Sequence, residues 1–306
     1  MSGLAGLAWI AADWGTTNLR VWAMGPGDAL LARAENADGM STLDRSGYER
    51  ALLALVGVWL PTAGRVPVVA CGMVGSRQGW IEAPYAAVPC SVLTPGRLVT
   101  PALTKTRLSV HVIPGLKQDN PADVMRGEET QISGFLAAKP LFDGVLCLPG
   151  THTKWVRISA GEVVSFQTFM TGELFALLSG QSVLRHGMIG DGWDEPAFAE
   201  GLEAAVSRPE RLAARLFTLR AEGLLQGLSP AAARARLSGL LIGAELAAAR
   251  PYWLGQEVAI VGAMAIGGAY QRALALQGLD APLSDVEAMT LRGLSAARAT
   301  LLASAA

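Results

Sequence analysis

A short stretch near the start of the chain has the residue types needed to bind a phosphate group. The apolar run Leu7–Ala12 leads into Asp13-Trp14-Gly15-Thr16-Thr17-Asn18, and a second apolar stretch begins at Leu19. A hairpin tip of small and hydroxyl residues leaves backbone N–H groups and threonine side chains free to surround a phosphate. Asp13 lies beside it, and Mg²⁺ prefers such oxygen ligands. The stretch predicts a phosphate-binding turn with a metal carboxylate, although an ordinary hairpin has the same pattern.

The same pattern recurs in the second half of the chain. The apolar run Val145–Leu148 is followed by Pro149-Gly150-Thr151-His152-Thr153-Lys154-Trp155-Val156, in which Gly-Thr and the later valine align with the first hairpin. Leu148 stands where the first copy has Asp13. His152 and Lys154 are gained, and both can donate hydrogen bonds to phosphate oxygens or to an acidic substrate. We therefore expect a duplicated lobe whose two turns hold the β- and γ-phosphates from opposite sides.

A glycine-rich loop follows the β-branched run Val66–Cys71. Loops at the ends of interior strands are favoured places for ligand-binding residues in α/β sheets. A plain irregular loop explains the composition equally well. The polar and aromatic side chains there that would suit a polyhydroxylated acid are Ser76, Arg77, Gln78, Trp80 and Tyr85.

Acidic residues cluster where a helix is predicted to begin. The segment 123–131 opens a helix that runs to about Ala138, and it contains Asp123, Glu128 and Glu129. The helix dipole favours acidic residues in a first turn, so one or two of them need no catalytic role. Arg126 lies among them and could pair with these acids or with an acidic ligand.

A third stretch of small residues lies near the end of the chain. The run Glu257–Val261 predicts a strand, which is followed by a glycine turn and the start of a helix. Gly262 and Ala263 would let a purine and its ribose lie against bare backbone. The glycines at 262, 267 and 268 do not have the G-x-G-x-x-G spacing of a dinucleotide-binding turn.

The elements that must position these residues follow from the spacing of apolar side chains. Third strands are predicted at Ala29–Glu35 and Glu162–Thr168, after the two hairpins. In the predicted helix Ala231–Ala249, Gly239 and Gly243 lie four residues apart and allow another helix to approach closely. We predict one lobe of residues 1–122 plus 285–306 and a second lobe of residues 123–284, with the last helix crossing between them.

Composition excludes several classes of protein. The chain of 306 residues is 51% hydrophobic, with a mean hydropathy of +0.34, but its longest apolar runs fall short of the roughly 20 residues that span a bilayer. The start lacks the basic segment of a signal peptide, so we expect a cytoplasmic protein. The net charge of −1 and the scattered basic residues indicate no nucleic acid partner. The expected partners are small molecules, and a homo-oligomer is left open.

Taken in chain order, the two Gly-Thr hairpins, the acidic helix start and the glycine turn at residue 262 resemble the motifs of the sugar kinase, heat-shock protein 70 and actin superfamily. Asp13–Asn18 resembles its first phosphate motif, Gly150–Thr153 its second and Val258–Ala263 its adenosine motif. The segments Gly127–Ala138 and Val286–Leu302 resemble its two connecting helices. The resemblance implies an α/β, two-lobed ribonuclease H-like (actin-like ATPase) fold with duplicated βββ-plus-helices lobes around a central cleft, which would close to protect ATP from hydrolysis.

A closer resemblance, which covers nearly the whole chain, is to the 2-dehydro-3-deoxygalactonokinase family. It implies ATP-dependent phosphorylation of the terminal (6-) hydroxyl of 2-dehydro-3-deoxy-D-galactonate, in galactonate degradation. The alternatives are a kinase of another sugar or sugar acid, and a nucleotide-hydrolysing or interaction protein of the same superfamily. The segments that carry the resemblance are 13–20, 72–76, 125–131, 149–152, 170–174 and Leu240-Leu241-Ile242-Gly243-Ala244-Glu245.

The resemblance also implies roles for individual residues. Mg²⁺ would be held through water by Asp13. The base would be Glu128, with Glu129 and Asp123 as the next candidates, because many sugar kinases have an aspartate after a glycine at this place. Nucleotide contacts are expected from Gly15, Thr16, Thr17, Asn18, Gly150, Thr151, Gly262 and Ala263. Candidates to bind the substrate carboxylate and keto group are Arg20, Arg77, Arg126, His152 and Lys154.

Overall fold

The computed structural model describes residues 3–104 and 107–305. The strands are β1 (Trp9–Trp14), β2 (Leu19–Met24), β3 (Leu30–Asn36), β4 (Val66–Gly72), β5 (Ala86–Ala87), β6 (Cys90–Ser91), β7 (Leu108–Val112), β8 (Leu116–Asp119), β9 (Ala122–Met125), β10 (Gly144–Leu148), β11 (Thr153–Ser159), β12 (Glu162–Phe169), β13 (Val258–Gly262) and β14 (Leu283–Asp285). The helices are α1 (Tyr48–Val56), α2 (Glu128–Ala138), α3 (Thr171–Gly180), α4 (Glu195–Ser207), α5 (Leu212–Leu225), α6 (Pro230–Ala248), α7 (Arg250–Trp253), α8 (Met264–Leu276) and α9 (Val286–Ala305).

The chain divides into two compact units. Unit 1 comprises Met1–Phe142, Ala160–Val164 and Val286–Ala306, and unit 2 comprises Asp143–Ser159 and Ser165–Asp285. The first boundary falls later in the chain than the predicted one after residue 122. Residues 1–2, 105–106 and 306 of the predicted first lobe lie outside the described residues.

The central sheet of unit 1 has the strand order β3-β2-β1-β4-β7. Strand β1 is antiparallel to β2 and parallel to β4, which in turn is parallel to β7. Alternate residues of β1 face opposite sides of the sheet. Ile10, Ala12 and Trp14 pack in the cluster that includes α1, whereas Trp9 and Ala11 pack in the cluster that includes Leu294 of α9. The helices thus cover both faces, and Asp13 belongs to the α9 face.

Unit 2 repeats this order, with β12-β11-β10-β13-β14 as neighbouring strands. Strand β10 is antiparallel to β11 and parallel to β13, which is parallel to β14. Strand β12 begins in unit 1, where Glu162 and Val163 pair with β6. Each sheet thus has an antiparallel hairpin as its first two strands, so the duplication that the two Gly-Thr turns predict is confirmed in the topology.

Glycines allow two pairs of helices to pack closely. A Cβ atom on Gly134 of α2 would lie 1.8 Å from the carbonyl oxygen of Met289 on α9, and one on Gly293 would lie 1.9 Å from that of Thr130. In unit 2, Cβ atoms on Gly239 and Gly243 of α6 would lie 2.1 and 2.6 Å from backbone oxygens of α4. The close helix approach predicted from Gly239 and Gly243 is therefore confirmed.

The predicted helix start in segment 123–131 needs one correction. Asp123 lies on strand β9, and the helix begins only at Glu128. The reason is Gly127, whose φ of +108° interrupts the chain between strand and helix.

None of the helices in residues 3–104 and 107–305 combines the length and apolar character required to cross a membrane.

Candidate active site

The first Gly-Thr turn joins β1 to β2 and presents its N–H groups outward. All four of its carbonyl oxygens accept backbone hydrogen bonds: that of Gly15 from Met40, that of Thr16 from Ser41, that of Thr17 from Gly39 and that of Asn18 from Gly15. The N–H groups of Thr16, Thr17 and Asn18 donate to no backbone acceptor within the described part of the chain. Successive unpaired N–H groups in a turn form an anion-binding concavity.

A supporting turn at residues 39–41 holds this orientation. A Cβ atom on Gly39 would lie 2.2 Å from the carbonyl carbon of Thr17, so only glycine allows the two turns to touch. Sequence reasoning missed this support, because nothing in the spacing of residues shows which loop holds the Gly-Thr turn.

The second Gly-Thr turn joins β10 to β11 and contacts the start of α3. The carbonyl oxygen of Thr151 accepts a hydrogen bond from the N–H of Glu173, and a Cβ atom on Gly172 would lie 2.2 Å from the carbonyl oxygen of Gly150. The N–H groups of residues 150–152 have no backbone acceptor among the residues that the structure describes. A helix N-terminus carries partial positive charge, so this turn too is suited to an anion.

The two side chains present only in the second turn, His152 and Lys154, both have hydrogen-bond partners. His152 is exposed, and its Nε2 lies 2.6 Å from Oε2 of Glu173. Lys154 is buried, with Nζ 3.4 Å from the carbonyl oxygen of His152. Both cationic side chains therefore lie next to the turn itself.

Three segments of unit 1 meet at the carboxyl ends of β1 and β4, and two of them carry a carboxylate. Asp13 pairs in register with Cys71, and its Oδ1 lies 3.7 Å from the Cys71 Sγ atom. Its other oxygen forms an ion pair with Arg20, its partner on β2. The third segment is the start of α2: burial and the charges of Asp13 and Glu129 raise the pKa of the Cys71 thiol.

Two glycines allow these segments to meet. Gly72 has φ +87°, and a Cβ atom there would lie 2.6 Å from the carbonyl oxygen of Trp14. Gly127 has φ +108°, and its Cβ atom would lie 3.5 Å from Cα of Gly72. Both positions have backbone conformations that L-residues rarely adopt, and both lie against neighbouring backbone. The end of β4 and the start of α2 therefore require glycine.

Glu128 and Glu129 occupy different environments. Glu129 is fully buried, and its Oε2 accepts a hydrogen bond from the N–H of Gly127 at 2.7 Å. Burial, together with the charge of Glu128, raises the pKa of Glu129 to about 8. Glu128 is partly exposed, and its Oε2 accepts from the N–H of Arg126 at 3.0 Å. Asp123 is also partly exposed, on β9, and accepts from the N–H of Val124.

Arg126 has a guanidinium group that the described residues leave incompletely paired. Its Nη2 donates to the carbonyl oxygen of Ala83 at 2.8 Å, and the group lies over the Tyr85 ring at 4.3 Å. Its Nε and Nη1 atoms are buried and have no hydrogen-bond partner within residues 3–104 and 107–305, and no carboxylate there forms an ion pair with it. Buried donor atoms without partners are costly, so these two atoms are suited to bind an acceptor on a ligand.

The other predicted substrate residues are spread over the loop after β4. Ser76 is buried with Oγ 3.1 Å from Sδ of Met40, and Trp80 packs against Tyr48 and Trp14 in an aromatic cluster. Arg77 and Gln78 are exposed. Of this set, Tyr85 contacts the Arg126 guanidinium group. That group also packs against Gly75, where an added Cβ atom would lie 2.8 Å from Nη1.

Unit 2 has a cavity of about 350 Å³ between α3, α6 and α8. Gly262 and Ala263 lie at the end of β13 and the start of α8, and Ala265 and Ile266 of α8 line the cavity. Sequence reasoning missed most of its wall, because the residues come from separate helices and loops. Its polar and aromatic members are Thr171, Phe175, Trp193, Arg234, Ser238, Tyr270 and Arg272.

The donor set at Asp13 fits a weakly held Mg²⁺ ion. Residues 3–104 and 107–305 contain no cluster of three or more His, Cys, Asp or Glu side chains that could coordinate a metal directly. A single carboxylate beside a phosphate-type turn is the usual protein contribution to Mg²⁺, which keeps several waters and binds substrate phosphates. The residues present therefore fit the ion through Asp13.

A sheet of this strand order, built twice in one chain and leading each time into a Gly-Thr turn, agrees with the duplicated α/β fold that the sequence resemblance implies. The protein is a phosphotransferase with this fold, because the family and the relatives that it matches are kinases. A model of the 2-keto-3-deoxy-galactonokinase family matches residues 13–297, and the chain belongs to this family.

Individual relatives agree with the family assignment. The chain is 37% identical over 275 residues to a 2-dehydro-3-deoxygalactonokinase of Escherichia coli (strain K12), covering 89% of this chain and 91% of that protein. It is 39% identical over 298 residues to a Rhizobium meliloti (strain 1021) protein whose own assignment to that activity is provisional, covering 94% and 95%. A crystal structure of a Sinorhizobium meliloti protein, provisionally assigned in the same way, superposes with a TM-score of 0.85 at 38% identity, covering 94% and 97%.

Proposed function

We propose that the protein is an ATP-dependent kinase that phosphorylates the terminal (6-) hydroxyl of 2-dehydro-3-deoxy-D-galactonate, in galactonate degradation. The family match and the relatives support the reaction. Within the structure, the observation that carries the proposal is the pair of Gly-Thr turns with open N–H groups. Phosphoryl transfer is catalysed chiefly by positioning and by neutralising phosphate charge, which such turns supply.

Each turn is suited to contact phosphate oxygens of ATP. The first contributes the N–H groups and hydroxyls of residues 16–18, and the second contributes residues 150–152 with the N-terminus of α3. Asp13 would hold Mg²⁺ through water, and the ion would neutralise charge on the phosphate oxygens. Arg20 pairs with the Asp13 carboxylate in the structure described here.

Glu128 is the proposed base. It is partly exposed, and the N–H of Arg126 fixes its carboxylate at the start of α2. It would accept the proton of the terminal hydroxyl as that oxygen bonds to the γ-phosphorus and the bond from phosphorus to the ADP oxygen breaks. Glu129 is buried with its pKa raised to about 8, so it is mostly protonated at neutral pH, and it positions Gly127.

Arg126 is the proposed partner of the substrate carboxylate. Five cationic residues were candidates from the sequence, and their surroundings in the structure differ. Arg20 already pairs with Asp13, and His152 lies against Glu173. Arg126 has buried donor atoms without partners in the described residues, next to Tyr85. A guanidinium group can bind a carboxylate through two parallel hydrogen bonds, so an acidic substrate would satisfy these atoms.

The α3–α6–α8 cavity is the proposed site for adenosine. Its wall is mostly apolar, with a few polar groups, as is usual for small-molecule sites. It begins beside Thr171 and Gly172, and Gly172 packs on the second turn. A base bound there would therefore be continuous with phosphates at that turn, and Gly262 and Ala263 lie at the neighbouring edge of the sheet.

A panel of acceptors tests the proposal. ADP formation is measured with ATP and 2-dehydro-3-deoxy-D-galactonate, its C4 epimer, D-galactonate and D-galactose, and without any acceptor. We expect the highest kcat/KM for the first compound, and slow ATP turnover when no acceptor is present. Fast turnover without an acceptor would identify a nucleotide hydrolase instead. Preference for the neutral sugar would identify a different sugar kinase and contradict the assigned role of Arg126.

A further inference from the structure

Glu245 is a buried carboxylate in the middle of unit 2 that the proposed reaction does not use. It lies on α6 and is almost fully buried. Its Oε1 accepts a hydrogen bond from Nε1 of Trp155 at 2.7 Å, and its Oε2 accepts from the hydroxyl of Tyr270 at 2.7 Å. The Thr171 side chain also hydrogen-bonds to it. One carboxylate thus joins α6 to β11, α8 and α3.

Two of these three partners lead to parts of the proposed nucleotide site. Thr171 is the first residue of α3 and lines the α3–α6–α8 cavity, next to Gly172, which packs on the second Gly-Thr turn. Tyr270 lines the same cavity, and its hydroxyl lies 2.9 Å from Oγ1 of Thr153. Thr153 is the first residue of β11 after that turn. The carboxylate therefore connects the cavity wall to both ends of the phosphate-type turn.

A carboxylate is a costly choice for this place. Burial raises the pKa of Glu245 to about 7, even though its three hydrogen bonds act in the opposite direction. Replacing buried ionic groups by packed apolar residues is often neutral or stabilising, so stability alone does not account for Glu245. A fully satisfied buried network does fix the relative positions of the elements it joins.

We propose that Glu245 is a positioning residue of the nucleotide site, which holds Thr171 and Tyr270 so that the α3–α6–α8 cavity and the second Gly-Thr turn bind one nucleotide together. This inference rests on the proposed assignment of that cavity and turn to ATP. It does not involve the substrate-binding residues of unit 1. Loss of the network should therefore weaken nucleotide binding and leave recognition of the sugar acid unchanged.

Three substitutions separate this role from simple packing. Glu245→Gln keeps the size and one acceptor oxygen, Glu245→Leu removes the network but keeps apolar packing, and Tyr270→Phe removes only the hydroxyl between Glu245 and Thr153. Glu203→Gln on the exposed face of α4 is the matched control. Binding of ADP is measured by calorimetry, the two KM values by steady-state kinetics, and the midpoint of thermal unfolding for every variant.

We expect the Kd for ADP and the KM for ATP to rise about tenfold or more in Glu245→Leu, and less in Glu245→Gln and Tyr270→Phe, because a lost hydrogen bond to a charged group has effects of this order. The KM for the sugar acid should stay within about twofold, the ordinary scatter for independent sites. Equal increases in both KM values, or a lower unfolding midpoint with unchanged ADP binding, would overturn the proposal.

The outcome is separable from that of the proposed function. If wild-type protein binds ADP and phosphorylates no sugar acid, the proposed reaction is wrong, whereas a variant-dependent Kd for ADP still supports the role of Glu245. If wild-type protein phosphorylates the sugar acid and all three variants bind ADP as tightly as the control, Glu245 has no positioning role and the reaction stands.

Discussion

Glu128 and Glu129 are neighbours in the sequence, yet one helical step gives them opposite surroundings. Glu128 is partly exposed at the first turn of α2, whereas Glu129 is fully buried. Two titratable groups with different environments can take different roles at one pH. The partly exposed carboxylate is the proposed base, and the buried one accepts a hydrogen bond from the N–H of Gly127.

The buried carboxyl predicts a pH dependence of stability. The pKa of Glu129 is about 8 in the folded protein against the ordinary 4.5, so between these values the folded state binds the extra proton. The free energy of unfolding should therefore fall as the pH rises from about 5 to 8, by up to about 1.4 kcal/mol per pH unit from this group. Glu129→Gln should remove this contribution, as measured by urea unfolding at several pH values.

The comparison with wild type isolates Glu129 from other titrations. Glu245, with its pKa raised to about 7, contributes a slope of the same sign to both proteins, so only their difference is informative. The variant should gain stability relative to wild type as the pH rises. Parallel curves for the two proteins would show that Glu129 is not protonated in the folded state.

The exposed carboxylate predicts a kinetic effect instead. Removing a general base costs about 10²–10⁴ in rate, so Glu128→Gln should lower kcat by this factor with little change in either KM. Glu82→Gln, on an exposed residue of the same unit, is the control. Near wild-type kcat in Glu128→Gln would exclude Glu128 and leave Asp123 and Glu129 as the acids to test.

Arg126 predicts a change in substrate choice. Arg126→Met should raise the KM for the sugar acid about 10- to 100-fold, because a hydrogen-bonded charge of this kind contributes about 1.5–3 kcal/mol. The rate with a neutral sugar should not fall. The same measurement on Arg50→Met, an exposed arginine of α1, gives the background. An equal loss with acidic and neutral acceptors would mean that Arg126 supports the fold and does not read the carboxylate.

At the scale of elements, the sequence predicted the features that depend on residues adjacent in the chain. The two hairpins were found because glycine, threonine and the flanking apolar runs are contiguous. The α3–α6–α8 cavity was not found, because Phe175, Trp193 and Arg234 are far apart in the chain and meet only through helix packing. The unpaired atoms of Arg126 could not be predicted for the same reason, because their lack of partners depends on the positions of residues distant in the chain.

The contact between α2 and α9 gives a prediction for a whole element. A methyl group on Gly293 would lie 1.9 Å from the carbonyl oxygen of Thr130, so Gly293→Ala must push α9 away from the helix that carries Glu128. Such overpacking costs about 1–3 kcal/mol or more, and both the unfolding midpoint and kcat should fall. Gly223 lies in α5, where an added Cβ atom would meet no atom of another residue within 4 Å. Gly223→Ala should therefore be neutral or stabilising by up to about 1 kcal/mol.

At the scale of the whole molecule, the family resemblance of the sequence predicts that the repeated turns act on one nucleotide. Thr16→Ala and Thr151→Ala each remove an exposed hydroxyl from a different unit. If both hydroxyls bind the same ATP, each substitution should raise the Kd for a non-hydrolysable ATP analogue, by about 10-fold or more for a hydrogen bond to a charged phosphate. Thr62→Ala, which is exposed and outside both turns, should bind normally.

The combined variant makes this test stricter. Independent contacts to one ligand add in free energy, so Thr16→Ala with Thr151→Ala should multiply the two single effects on the Kd. Calorimetry on wild type, the two single variants and the double variant measures the Kd, and thermal unfolding shows whether each variant is folded. If only one substitution raises the Kd, and the double variant binds no more weakly than that single variant, the hydroxyl of the other turn does not contact the nucleotide.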